Sequence, residues 1–215
     1  MLDRPGPSGE PIVAIDGALI SIAGGEATLG PYSLDLRPAE IVSIVGPSGS
    51  GKTTLVKAIV ERRAPFAGKI AVKAGSREIA YVPQNAADRL NRMASALRHM
   101  RDVSRRMSGI CARDLLGRFR IPPDALRRQV STFSAGQQQR LVLLLALICR
   151  PRLVILDEPT SALDVEMRQE LALLLRKLKD EEEIAVLVAS HHLPFVSTIS
   201  DRVCQLERRD IEAAA

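Results

Sequence analysis

Two rhythms of apolar and polar positions alternate along the chain. Glu40–Val45 (EIVSIV), Leu153–Leu156 and Ile184–Ala189 are short, nearly continuous apolar runs rich in branched side chains. Such runs predict parallel strands buried on both faces. Between them the spacing becomes helical. Lys52–Arg63 and Val165–Lys179 gather apolar residues on one face, and Ala135–Cys149 is apolar nearly all round in its second half, which predicts a buried helix. Pro65 and Gly68 are expected to close the first of these helices. Four shorter segments read as strands. Pro11–Ala23 and Tyr32–Leu36 flank a glycine-rich turn, GGEATLGP, while Lys69–Lys73 and Glu78–Val82 flank a turn at Ala74–Ser76. Strands alternating with helices predict a three-layered α/β domain around a parallel sheet.

Asn85–Thr132 breaks this pattern. It has few β-branched residues and predicts several helices, interrupted at Gly109, Gly117 and Pro122–Pro123 and inserted into the domain. Charge concentrates here. From Asn85 to Ser134 there are eleven Arg against four Asp, a net +7 that leaves −2 for the rest of a chain carrying +5 in all. Such a segment suits phosphates, lipid headgroups or an acidic partner, and equally a solvated helix face. Phe119 and Phe133 offer no stacking platform, so no nucleic-acid partner is expected.

Length and composition narrow the class further. At 215 residues the chain holds one large domain, or a core with an inserted subdomain. Cys111, Cys149 and Cys204 are widely spaced without a metal-ligand pattern, as expected of reduced thiols in a cytoplasmic protein. The N-terminus, MLDRPGPSGEP, is polar and rich in Pro and Gly, unlike a signal peptide. The longest apolar run, Leu141–Cys149, has nine residues, against roughly twenty for a helix that spans a bilayer. Any membrane role is therefore expected to be peripheral and through a partner.

Candidate chemistry begins where the first buried run ends. Gly46-Pro47-Ser48-Gly49-Ser50-Gly51-Lys52-Thr53, followed by Thr54, fits the phosphate-loop pattern G-x-x-x-x-G-K-[ST] at every position and sits between a predicted strand and a predicted helix. The glycines allow backbone N–H groups to cradle phosphate oxygens, Lys52 reaches the β- and γ-phosphates, and the Thr53 hydroxyl suits Mg²⁺. Asp157 and Glu158 end the strand LVIL and are stopped by Pro159. A carboxylate there can hold Mg²⁺ through water, and the next can orient or deprotonate an attacking water. Ser134 opens a helix, where a hydroxyl and the N-terminal amides make an anion site.

The order of these segments is the specific signal: GPSGSGKT, Gln84 in YVPQN, FSAGQQQR, LVILDEP, SALD at Ser161–Asp164, and ASHH at Ala189–His192. In this order the chain resembles the ATP-binding cassette (ABC) ATPases over nearly its whole length. QNAADRLNRM and RPRLVILDEPTSALDV also resemble the peptide and nickel importer branch. The resemblance implies a P-loop NTPase fold, α/β, with a mostly parallel RecA-like sheet, a small antiparallel β subdomain and an inserted helical subdomain. Residues 1–84 and 133–215 would form the core and 85–132 the insertion.

The resemblance also implies roles. ATP and Mg²⁺ are the expected cofactors. Gln84 is similar to the glutamine that joins core to insertion and senses Mg²⁺ and the γ-phosphate, and a neutral amide suits that task. His191 resembles the switch histidine that contacts the γ-phosphate and the catalytic carboxylate, Glu158. Ser134, Ala135, Gly136 and Gln137 resemble the signature that faces ATP held by the opposite subunit, and Asp164 would lie at the same interface. The implied partners are a second cassette, identical or different, and an integral membrane permease on whose cytoplasmic face the pair would sit, with import favoured. Two other classes stay open: a soluble ABC ATPase without a transport role, and a degenerate or regulatory cassette in a heterodimer. Four positions depart from the family. The signature commonly reads LSGGQ where this chain has Phe133 and Ala135, His192 stands where Asp is common, and the aromatic that stacks on adenine falls at Ala23, with Tyr32 in the next strand.

Overall fold

The computed structural model describes residues 9–21, 27–85, 87, 90–104, 116–117, 119, 121–148, 151–161, 163–206 and 210–212. Ala23, Gly109, Cys111 and Cys149 lie outside them. The three apolar runs form β3 (Ile41–Val45), β6 (Leu153–Asp157) and β7 (Ala185–Ala189), each buried at every position. With β5 (Ile79–Val82) and β8 (Arg202–Gln205) they make one parallel sheet, ordered β5–β6–β7–β3–β8.

Period-two alternation sends the side chains of these strands into two separate cores. Ile41, Val154, Leu156, Val186 and Val188 pack beneath helices α3 (Ala135–Leu147), α4 (Val165–Glu182) and α5 (Leu193–Ile199). Val42, Ile44, Ile155 and Leu187 pack on the other face, against α1 (Lys52–Glu61) and a second sheet. That sheet is antiparallel: β1 (Val13–Ser21), β2 (Ala27–Leu36), β4 (Ala67–Val72) and β9 (Asp210–Glu212), ordered β4–β1–β2–β9. The three-layered α/β architecture with a parallel sheet and a smaller antiparallel one is as expected.

Several boundaries differ from the sequence expectation. The glycine-rich turn does not run to Pro31, because β2 already begins at Ala27. Gly30, at φ +127°, lies so close to the Ala18 carbonyl that a side chain would not fit, and β1 and β2 change register around Ala18. Gly68 does not close α1. The helix ends at Glu61 with Arg62 in the left-handed region, and Gly68 sits inside β4 at φ +76°, against the backbone of Gly17. The segment expected to hold several helices contributes α2 (Ala96–Ser104) and two short 3-10 turns, Pro123–Arg127 and Val130–Thr132, among its described residues. Backbone bonds from Val130 to Ala94 (3.0 Å) and from Ser131 to Arg92 (2.8 Å) tie its two ends together. Helix α5 and strands β8 and β9 were not expected from the pattern.

Candidate functional site

The loop from Gly46 to Gly51 joins β3 to α1. Gly49 and Gly51 adopt φ of +80° and +90°, where a side chain is strained. A Cβ at Gly46 would meet Ser50 Oγ at 2.6 Å and one at Gly51 would meet Leu29 Cδ1 at 2.8 Å, so the loop also lacks room for side chains there. No side chain caps α1 at Gly51, which leaves its first amides to an anion. Lys52 is buried, and its Nζ donates to the carbonyls of Gly46 (2.8 Å) and Pro47 (3.0 Å) and lies 3.8 Å from Glu158 Oε1.

Two carboxylates from the end of β6 face this loop. Asp157 Oδ1 accepts a bond from Thr53 Oγ1 at 3.2 Å. Burial pushes the Asp157 carboxyl above its ordinary range, with the Glu158 charge adding to the rise, while bonds from Thr53 and Tyr81 and the charge of Lys57 oppose it. Its ionisation therefore costs stability above that raised pKa, and the cost is relieved as pH falls through it. Glu158 has φ +48°, a conformation uncommon for a residue with a side chain and typical of functional sites. Its N–H donates to the Ala189 carbonyl at 2.8 Å, which ties the turn to β7. Oε2 accepts from His191 Nδ1 (2.9 Å), His191 N–H (3.3 Å) and Ser190 Oγ (3.3 Å). Glu158 is 7% exposed, whereas the His191 side chain is 66% exposed and reaches into solvent.

Lys52, Thr53, Glu158 and His191 line one cleft of about 580 Å³, with the rest of the loop from Pro47 to Thr54 apart from Ser50, and with Leu29 and Gln84. Asp157 is not among its lining residues but bonds to Thr53, which is. Gly46 and Ser50 support the loop from behind. The Ser50 hydroxyl is buried without a hydrogen-bond partner. An uncapped helix start, a lysine and two oxygen donors at 3.2 Å beside a hydrogen-bonded carboxylate suit a nucleoside triphosphate.

The model of the family described as ABC transporter matches residues 29–161. The chain belongs to the ABC transporter family. As an ABC cassette it binds ATP and hydrolyses it. Cassettes of this family work as dimers with a membrane permease. The chain is 36% identical to the zinc import ATP-binding protein ZnuC of Pseudomonas putida over 86% of its own length and 71% of that protein. It is 39% identical to the ZnuC of a Jannaschia species, over 84% and 73%. Its fold matches cbiO1 of Clostridium perfringens, part of the ABC transporter complex cbiONQ, with a TM-score of 0.83 over 94% of this chain and 88% of that one at 22% identity. It also matches a dimeric bacterial ABC transporter cassette with a TM-score of 0.77 over 94% and 99% at 24% identity.

The cassette's remaining candidate residues stand away from this cleft. Ser134, Gly136, Gln137 and Asp164 are not among its lining residues. Ser134 caps α3: its Oγ accepts from Gln137 N–H at 3.2 Å, and Gln137 Oε1 accepts from Ser134 N–H at 3.0 Å. Asp164 caps α4 through Met167 N–H at 2.8 Å. The two helix starts are packed together, since a Cβ on Gly136 would lie 3.3 Å from Met167 and Arg140 pairs with Glu170 at 3.1 Å. Tyr32 does not stand in for a base-stacking aromatic. It is buried behind the loop, where its hydroxyl donates to the Ser50 carbonyl at 3.3 Å. Sequence reasoning gave no role to Ser190, Tyr81 or Leu29, although Ser190 lies within ASHH and Tyr81 within YVPQN. It also gave His192 no role, yet its ring caps α5 through Phe195 N–H at 3.1 Å.

Proposed function

We propose that the cleft holds ATP with Mg²⁺ and that Glu158 is the general base of hydrolysis. The observation that carries this reading is Glu158 held between Lys52 and His191 at the mouth of the phosphate loop. Gly46, Pro47, Ser48, Gly49, Ser50 and Gly51 form the cradle, and the amides of Lys52, Thr53 and Thr54 face the phosphates from the start of α1. Lys52 exchanges its two loop carbonyls for phosphate oxygens. Thr53, Asp157 and Gln84 are hard oxygen donors, and the first two already lie 3.2 Å apart. One carboxylate, a hydroxyl and an amide fit Mg²⁺; Thr53, Asp157 and Gln84 would hold it, and it would supply charge neutralisation at the phosphates. Glu158 accepts the proton of the attacking water, and His191, fixed at Nδ1, turns its other ring nitrogen toward the γ-phosphate.

The site is completed in trans. Ser134, Gly136 and Gln137 stand at the start of a thirteen-residue helix, and with Asp164 they meet the ATP held by a second copy. Because loop, base and signature all occur in one chain, two identical copies make two complete sites, which favours a homodimer. Residues 85–132 form the insertion that docks on an integral membrane permease, and the chain is cytoplasmic and peripheral at the inner face of the membrane. No helix among the described residues is long and apolar enough to cross a membrane. The cargo is zinc, taken inward. This rests on the zinc-import relatives at 36% and 39% identity, which replace the peptide and nickel branch that the sequence resembles. A strain lacking the gene is expected to accumulate less zinc under chelation, with recovery by the chain but not by Glu158→Gln. Equal zinc in deletion and parent strains would contradict the reading.

A further inference from the structure

Two donors converge on the His192 ring. Phe195 N–H donates to Nδ1 at 3.1 Å, and Arg168 Nη1 lies 2.7 Å from Nε2. A neutral imidazole has one acceptor nitrogen and one N–H, and its cation has no acceptor. His192 therefore satisfies the cap of α5 or the guanidinium, but not both together. The alternatives differ in what they hold. The cap is local to α5, whereas the guanidinium comes from α4, four residues past Asp164, whose carbonyl accepts from Arg168 N–H at 3.0 Å. Arg168 Nε is buried without a hydrogen-bond partner, so the His192 ring is a valuable acceptor for this side chain.

From His192 the contacts run to the hydrolytic carboxylate. His192 N–H donates to Ser190 Oγ at 3.1 Å, and that hydroxyl donates to Glu158 Oε2 at 3.3 Å. His191, between the two, donates to the same oxygen from both its ring and its backbone. We propose that Arg168 and His192 are positioning residues for hydrolysis: the guanidinium takes the His192 ring as its acceptor and holds Ser190 and His191 against Glu158. The competing cap of α5 keeps that hold reversible. This inference rests on Glu158 being the base. It also makes one chemical demand. A carboxylate at position 192 has lone pairs for both donors, so His192→Asp should turn the alternating contact into a permanent one.

The test is steady-state ATP hydrolysis by the full chain, with thermal melting alongside, for Arg168→Ala, His192→Ala, their double variant, His192→Asp alone and combined with Arg168→Ala, and Glu158→Gln as a control. Arg168→Ala leaves the phosphate loop untouched and keeps the cap. It is expected to lower kcat about tenfold with KM for ATP unchanged. The double variant should be no slower than the slower single one, since both break one contact. His192→Asp should match or exceed the original kcat and melt higher, and the kcat gain should vanish when Arg168 is also Ala. Arg168→Ala retaining kcat within about twofold, a raised KM with unchanged kcat, or multiplicative losses in the double variant would each overturn the proposal. Because Glu158→Gln is assayed beside them, an inactive control with a normal Arg168→Ala overturns only the positioning role. An active control removes the base assignment on its own, and the positioning role with it.

Discussion

Glu158→Gln is expected to bind MgATP normally and to lose hydrolysis by roughly 10²- to 10⁴-fold. The amide has the volume of the carboxylate and its oxygen can still accept from Ser190, so the loop and the switch segment keep their places. What it loses is the ability to take a proton, together with the negative charge that pairs with Lys52 at 3.8 Å and accepts from His191 at 2.9 Å. With binding intact and turnover stopped, the nucleotide-sandwiched dimer should accumulate. Size-exclusion chromatography with MgATP and phosphate release together check this. Rapid turnover by this variant would remove Glu158 as the base.

Lys52→Ala should fail one step earlier, at binding. Among the described residues that line the cleft, Lys52 is the one lysine or arginine, and each charge-assisted bond to a phosphate contributes about 1.5–3 kcal/mol. Loss of two such bonds predicts a fall in ATP affinity of at least about 100-fold. The truncation also strips the Gly46 and Pro47 carbonyls of their donor, which loosens the loop before any ligand arrives. Equilibrium binding of a fluorescent ATP analogue measures the effect. Unchanged affinity would sink the phosphate-loop assignment.

Much of this machinery was readable in the chain because its chemistry is local. The phosphate loop is one contiguous segment whose glycines report backbone demands, and the carboxylates follow a strand that any hydropathy profile marks. Ser134 and Gln137 are three residues apart and cap their own helix, as their spacing implies. Contacts between distant segments left no such trace. Ser190 is legible only once β7 lies beside β6, with Asp157 opposite Ala189. The Arg168–His192 contact needs α4 and α5 on the same face of the sheet. Gly30 and Gly68 were misread as turn residues for the same reason, since what excludes a side chain there is the backbone of β1, far away in sequence. Helix α5 escaped notice because it has only seven residues, too few for a helical period to stand out.

The central claim is that each ATP is worked on by two chains, Glu158 from one and Ser134 from the other. Two variants of the full chain, Glu158→Gln and Ser134→Glu, should each hydrolyse ATP poorly alone. Mixed, they form dimers in which one site carries both defects and the other carries neither. Hydrolysis should then return on mixing, to about a quarter of the original rate if pairing is random and one intact site suffices. A mixture as inactive as its components, or a Ser134→Glu chain as active as the original, would contradict the shared site.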